Sequence, residues 1–231
     1  MIDFHRHFHP SYDKLPRHEN LTIWWATTDP LEYGMYTGDN RSPHGYGILP
    51  KAGSEEKIVR SIEERLIEDD LGYIGEIGID RRFENIERQT EFTYVLLEIA
   101  IAHLRPVAFH FNTDIPTVLN ICRSAKNKIP MIFHNYTGSV ESAKELYASG
   151  IFISIGPRLW KKETKLGKRI DELSIPVLLE TDYTGDDEKE YLRLLEEHYR
   201  WFARRTGASF DSIVEKQHEL SSLFQNHPAG G

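Results

Sequence analysis

Six side chains of metal-binding type stand far apart in the sequence: His5 and His7 as an HxH pair, Glu76, His110, His134 and Asp182. Neutral imidazoles and carboxylates without a thiolate suit Zn, Mn, Co or Fe, with Ni and the harder Mg also within reach. Six ligands exceed what a single catalytic ion with an open position takes, and a carboxylate bridging two ions accounts for the number. Two ions can hold a hydroxide between them and polarise the bond it attacks. Asp182 is the candidate both to bind metal and to take the proton of that nucleophile. The expected cofactor is therefore one or two divalent metal ions.

Such a set works only if the fold gathers it. Apolar runs at 1–5, 21–27, 45–49, 72–77, 106–110, 130–134, 151–155 and 176–182 read as strands covered on both faces. Helical patterns lie at 54–68, 86–103, 116–123, 140–149, 164–173, 187–204 and 210–224, and Asp187 with Glu190 resembles a capping box. The alternation predicts an α/β chain forming a (β/α)8 TIM barrel, one domain over residues 1–225 with a disordered tail at 226–231. A doubly wound sheet is the competitor, and no glycine-rich phosphate fingerprint follows the first strand.

In a parallel barrel all strand C-termini open on one face, and each of the six ligands ends or closely follows an apolar run. Alternation along the strands sends Val107, Phe109, Met131 and Phe133 outward, and His110 and His134 inward. It also groups Leu178, Glu180 and Asp182 inward, puts Asp3 one layer beneath His5 and His7, and aligns Glu76 with Ile74 and Gly72. Asp3 and Glu180 are then expected to orient ligands from below. Against this, Asp3 could cap backbone amides, and a buried Glu180 could serve a structural ion pair.

The 231 residues carry 36 carboxylates against 28 Lys and Arg, a net charge of −8, with 39% apolar and 28% charged residues. Disordered, collagenous and coiled-coil chains are excluded, as is a wholly basic nucleic-acid-coating surface. One cysteine, Cys122, forms no internal disulfide and reads as a buried, inert thiol. With no secretory pattern at residues 1–10 and no apolar run of membrane-spanning length, the expectation is a cytoplasmic protein with no membrane and no obligate protein partner.

Arg81 and Arg82 closely follow Glu76, and Arg158 and Lys161 open a basic segment that contains Trp160. These four cations are candidate substrate contacts for a phosphate backbone, the alternative being a solvated helix face. Trp24, Trp25 and Tyr46 are expected to fill the barrel or its helix shell. His9, His18 and His44 are placed on or near the mouth loops.

Four strings in order resemble the TatD-type metal-dependent deoxyribonucleases of the amidohydrolase superfamily. They are Ile2-Asp3-Phe4-His5-Arg6-His7, Ile74-Gly75-Glu76-Ile77-Gly78-Ile79-Asp80, Phe133-His134-Asn135-Tyr136-Thr137-Gly138-Ser139 and Leu179-Glu180-Thr181-Asp182. The resemblance implies hydrolysis of DNA phosphodiester bonds. It also implies one metal on His5, His7, Glu76 and Asp182 and another on Glu76, His110 and His134, with Glu76 as the bridge. The chain departs from the family where Leu49 and Lys51 replace two histidines. It departs again where Phe111-Asn112-Thr113-Asp114 follows the strand-5 region, and where Tyr183-Thr184 replaces Ala-Pro. These positions are expected to touch substrate, so two substrates stand: DNA, or a small ester, lactone, amide or phosphomonoester. A barrel kept only for binding is the third reading.

Overall fold

The structure, a computed structural model, describes residues 1–9, 11–12, 16, 18–36, 41–48, 56–161 and 163–225. Its strands are β1 (Ile2–His7), β2 (Thr22–Ala26), β3 (His44–Tyr46), β4 (Gly72–Asp80), β5 (Val107–Asn112), β6 (Met131–Phe133), β7 (Ile151–Ile155) and β8 (Val177–Leu179). They pair in parallel in sequence order as one 8-stranded sheet. A bridge between Arg6 and Tyr183 brings the last edge back to the first. There His7 N donates to Tyr183 O at 3.0 Å, and Asp182 N donates to His5 O at 2.9 Å. Chain order, parallel pairing and this return make a (β/α)8 barrel.

The helices are α1 (Glu56–Glu68), α2 (Ile86–Ala102), α3 (Ile115–Cys122), α4 (Val140–Ala148), α5 (Arg158–Lys161), α6 (Lys165–Lys168), α7 (Glu188–Thr206) and α8 (Phe210–Gln225). Side chains start them where the chain leaves the sheet. Asp114 accepts from Thr117 N ahead of α3, Ser139 from Ser142 N ahead of α4, and Asp187 from Lys189 N and Glu190 N ahead of α7. Each such cap contributes about 1 kcal/mol by satisfying an otherwise unpaired first-turn amide. The box expected at α7 is half formed, because Glu190 lies 3.3 Å from the Tyr183 hydroxyl, which donates to it. The single helix expected at 164–173 is broken into α6 and a short 3-10 turn, Ile170–Glu172.

Two apolar layers follow from strands buried on both faces. Val107, Phe109, Met131, Ile153 and Leu179 join the outer layer under the helices. Ile2, Phe4, Trp24, Tyr73, Ala108, Ile132 and Leu178 fill the barrel interior together with Leu220 and Phe224 of α8. The interior residues come from the early part of each strand. The floor is thus apolar, and the C-terminal half of the interior is left to the polar set.

Two bulges correct the expected strand faces. In β1 the pairing steps from Asp3–Ile23 to Arg6–Trp25, one residue more than in β2. Ile2 and Phe4 therefore face inward below the extra residue, and His5 and His7 take over the inner face above it. In β4 the pairing steps from Ile74–Val107 to Ile77–Phe109. Tyr73 is consequently inside and Ile74 outside, whereas regular alternation from Glu76 had put Ile74 and Gly72 inside. A bulge re-aims a side chain without ending the strand. Gly47 makes the second one possible, since a Cβ there would come within 2.0 Å of Glu76 N.

Leu49, Pro50 and Lys51, the start of the helix expected at 54–68, and the tail 226–231 lie outside the described residues. Among the described residues no helix is long and apolar enough to cross a membrane.

Candidate metal centre

The six expected ligands meet at the C-terminal mouth. Glu76, 2% exposed, stands at their centre. Its Oε1 lies 2.6 Å from His110 Nδ1 and 2.8 Å from His134 Nε2, while its Oε2 lies 3.6 Å from His7 Nε2 and 3.8 Å from His5 Nε2. Three groups offer ligand atoms within 4.8 Å of one another: His5, His7 and Glu76; Glu76, His110 and His134; His5, His134 and Asp182. Glu76 is common to the first two. Asp182 Oδ1 sits 3.2 Å from His7 Nε2, and its other oxygen accepts from the Asn135 amide.

The buried polar atoms around this cluster fit a divalent cation. The His5 ring is fully buried, and neither of its nitrogens has a hydrogen-bond partner among the described residues. A neutral imidazole always carries one N–H, so orphaning it costs about 1–3 kcal/mol. Coordination of the other nitrogen by a cation would supply the missing stabilisation. The donor set, imidazole nitrogen and carboxylate oxygen, is the chemistry such an ion requires.

Charge is distributed accordingly. Burial would raise the Glu76 carboxyl, but His134, His110 and His5 hold it well below the usual carboxylate range. Burial likewise opposes ionisation of Asp182, and the His7 hydrogen bond and the charge of His134 bring it to about 2. Burial pushes the His5 ring down, with His134 adding to the effect. For His7 and His134 burial is outweighed by carboxylates, Asp182 and Glu76 for the first and Glu76 and Glu180 for the second, so both rings are raised.

The residues beneath the ligands differ from expectation in one case. Glu180 faces His134, its Oε1 lying 3.5 Å from Nδ1 while Ser154 Oγ donates to Oε2. Asp3 touches no ligand ring. Its carboxylate accepts from the backbone N of His5 at 3.2 Å and of Thr181 at 2.9 Å, and from the Thr181 hydroxyl at 2.6 Å. The β1 bulge is the reason: it separates the face of Asp3 from that of His5, leaving Asp3 to pin the two strands. Its burial raises its carboxyl to about 7.

Asp80 is a site residue that sequence reasoning missed. It is fully buried and lies 3.1 Å from His110 Nε2, with Asn112 and Arg82 donating to it at 2.9 Å. A carboxylate on the far nitrogen of a histidine fixes its tautomer and ring orientation. The signal was present, since Glu76, Gly78 and Asp80 alternate above the bulge. Gly78 is needed there because a Cβ would come within 2.0 Å of His110 O, at φ 145°. Asn135 and Asp182 adopt φ 50° and 52°, left-handed values that strain a residue with a side chain. They are hydrogen-bonded to each other at the mouth.

A cavity of about 480 Å³ opens beside His110 and His134. Of the expected substrate contacts, Arg82 and Arg158 line it. Arg81 stands beside it, paired to the lining residue Asp114. Lys161 lies over the Trp160 ring, 5.6 Å from its centre, and is not part of the lining; Lys165 is. The Trp160 indole is tied by its N–H to His198 Nδ1 at 3.1 Å. His44 starts β3, at the end of the barrel away from the mouth, and bonds Asp69 at 2.6 Å. His18 bonds Glu188 at 2.8 Å. Arg6, between the two N-terminal histidines, is fully buried against Tyr191 and paired to Glu188 of α7.

Parallel strands closing on themselves, with histidines and carboxylates converging at their C-terminal ends, define a (β/α)8 barrel built around a candidate metal centre. The chain belongs to the TatD related DNase family, whose pattern matches residues 34–221. An uncharacterized metal-dependent hydrolase of Methanocaldococcus jannaschii is 36% identical over 100 residues, 43% of this chain and 38% of that protein. The match thus spans well under half of that relative. The TatD homologue YJJV of Escherichia coli K12 superposes with a TM-score of 0.74 at 16% identity, over 90% of this chain and 86% of its own. A TatD-family hydrolase of Entamoeba histolytica gives 0.70 at 15% identity, over 90% and 85%. An uncharacterized amidohydrolase of Saccharomyces cerevisiae gives 0.67 at 12%, over 88% of each chain. At these identities the solved structures speak for the fold.

Proposed function

We propose that this chain is a divalent-metal-dependent hydrolase that cleaves phosphodiester bonds, with DNA as its substrate. The observation that carries the reading is the sharing of Glu76 between two histidine groups beside a cavity whose lining, among the described residues, holds Arg82, Arg158 and Lys165 against Asp114 as its only carboxylate. His5, His7, Glu76 and Asp182 would hold one ion, and Glu76, His110 and His134 the other. Such ions supply Lewis-acid polarisation of phosphoryl oxygens and neutralise charge that develops in the transition state. Asp182, held ionised by His7 and steadied by Asn135, accepts the proton of the attacking water and returns it to the leaving oxygen. Glu180 and Asp80 keep the His134 and His110 rings in place. The cationic wall attracts a polyanion even though the whole chain is acidic.

Hydrolysis of single-stranded DNA and of bis(p-nitrophenyl) phosphate, assayed with added Mn, Mg or Zn in turn, tests this. Turnover of either that disappears on chelation supports the reading; metal-loaded protein that cuts neither rejects it. The size of the cavity favours a second reading, the same chemistry on a small ester, lactone, amide or phosphomonoester. A panel of such compounds separates the two. A cytoplasmic setting belongs to the same proposal.

A further inference from the structure

Phe111, Phe133 and Tyr136, all buried in the outer apolar layer, line part of the cavity beside the candidate metal centre. At about 480 Å³ it has the size of a small-ligand site, which usually spans about 300–1,000 Å³.

The cations around it are not equivalent. Arg82 is neutralised by Asp80, and Arg81 by Asp114. Further along the same segment Lys168 pairs with Glu163, and Arg169 with Glu141 and Glu172. Arg158 and Lys165, both exposed and both lining the cavity, have no carboxylate partner among the described residues. They come from α5 and α6, so two separate elements deliver two unneutralised positive charges to one cavity. An internal phosphodiester carries a single negative charge, whereas a terminal phosphomonoester carries about −1.5 to −2 at neutral pH and offers three acceptor oxygens. The unpaired charge in the cavity matches the second.

We propose that Arg158 and Lys165 form a recognition site for a terminal phosphoryl group, so that the protein selects phosphate-bearing strand ends. The proposal rests on the phosphodiesterase reading and deepens it. A guanidinium and an ammonium together suit a dianion, the first by its planar fork and the second as a compact charge.

The probe is a thymidine dinucleotide with a methylphosphonate internal linkage, which carries no internal charge and resists cleavage. It is prepared with a 5′-phosphate, with a 3′-phosphate and with neither. Calorimetric Kd values are measured on the metal-loaded wild-type protein, on the Arg158→Ala/Lys165→Ala double variant and on Lys161→Ala. We expect one phosphorylated form to bind about 10- to 100-fold tighter than the bare one. That preference should fall below about threefold in the double variant and survive in Lys161→Ala. Equal Kd values for all three forms in the wild type would overturn the proposal. So would a preference that the double variant keeps, which would place the phosphate on the metal ions instead. Ordinary dinucleotides run alongside report on cleavage: failure to cut them counts against the phosphodiesterase reading, while the Kd comparison still decides the end-recognition site.

Discussion

The two oxygens of Glu76 face different pairs of imidazoles, His110 and His134 on one side, His7 and His5 on the other. Glu76→Gln keeps the shape and removes the charge. It should lower metal content and reduce hydrolysis by at least about 100-fold, with the circular dichroism spectrum unchanged. His134→Ala should behave in the same way. Asp80 and Glu180 act through His110 and His134, so Asp80→Asn and Glu180→Gln should each weaken metal binding by about 10- to 100-fold, read by competition with a chromogenic chelator. The meeting of all six candidate ligands was legible in the sequence because each ends or follows an apolar run, and parallel strands bring such ends together. Asp80 is not marked in the sequence because it stands beyond the apolar run 72–77, and its partner, His110, is 30 residues further on. The pairing of Arg81 and Arg82 with Asp114 and Asp80 could not be read from local spacing either.

Elements set the aim of those residues. Runs buried on both faces carry no record of phase, so the sequence located strands β1 and β4 but not the extra residue in each. That is why Phe4 and Tyr73 point into the barrel where alternation placed their neighbours. Gly78→Ala should destabilise the protein by about 2–4 kcal/mol in urea titration, since backbone must shift to admit the methyl. His198 of α7 is a second test at this scale. Its Nε2 donates to Ile155 O at 2.8 Å, its Nδ1 accepts from Trp160, and burial lowers its pKa to about 4 from 6.5. The unfolded chain takes up this proton first as pH falls. Stability is therefore intact above about pH 6.5 and declines towards pH 4, by about 3 kcal/mol from this group. In His198→Gln the wild-type loss of urea stability between pH 7 and pH 4.5 should shrink by about that amount; an unchanged loss would contradict it.

For the molecule as a whole, barrel and candidate metal centre are one device: the apolar floor holds the strands, and their upper ends hold buried groups that a cation would complete. Loading at 100 times Kd adds about 2.7 kcal/mol to stability, which raises Tm by about 5–11 °C in a domain of this size. Differential scanning fluorimetry with and without Mn or Zn measures it, and the Glu76→Gln protein should lack most of the rise. Fold class followed from the alternation of runs and helical patterns, whereas the cavity and its unpaired cations needed the three-dimensional arrangement of α5 and α6. The central claim meets its most direct test in anomalous scattering from crystals of the protein grown with Mn. The account predicts two peaks flanking Glu76, one ringed by His5 and His7 and one by His110 and His134. A map with no peak at Glu76, from crystals whose protein demonstrably contains Mn, would contradict it.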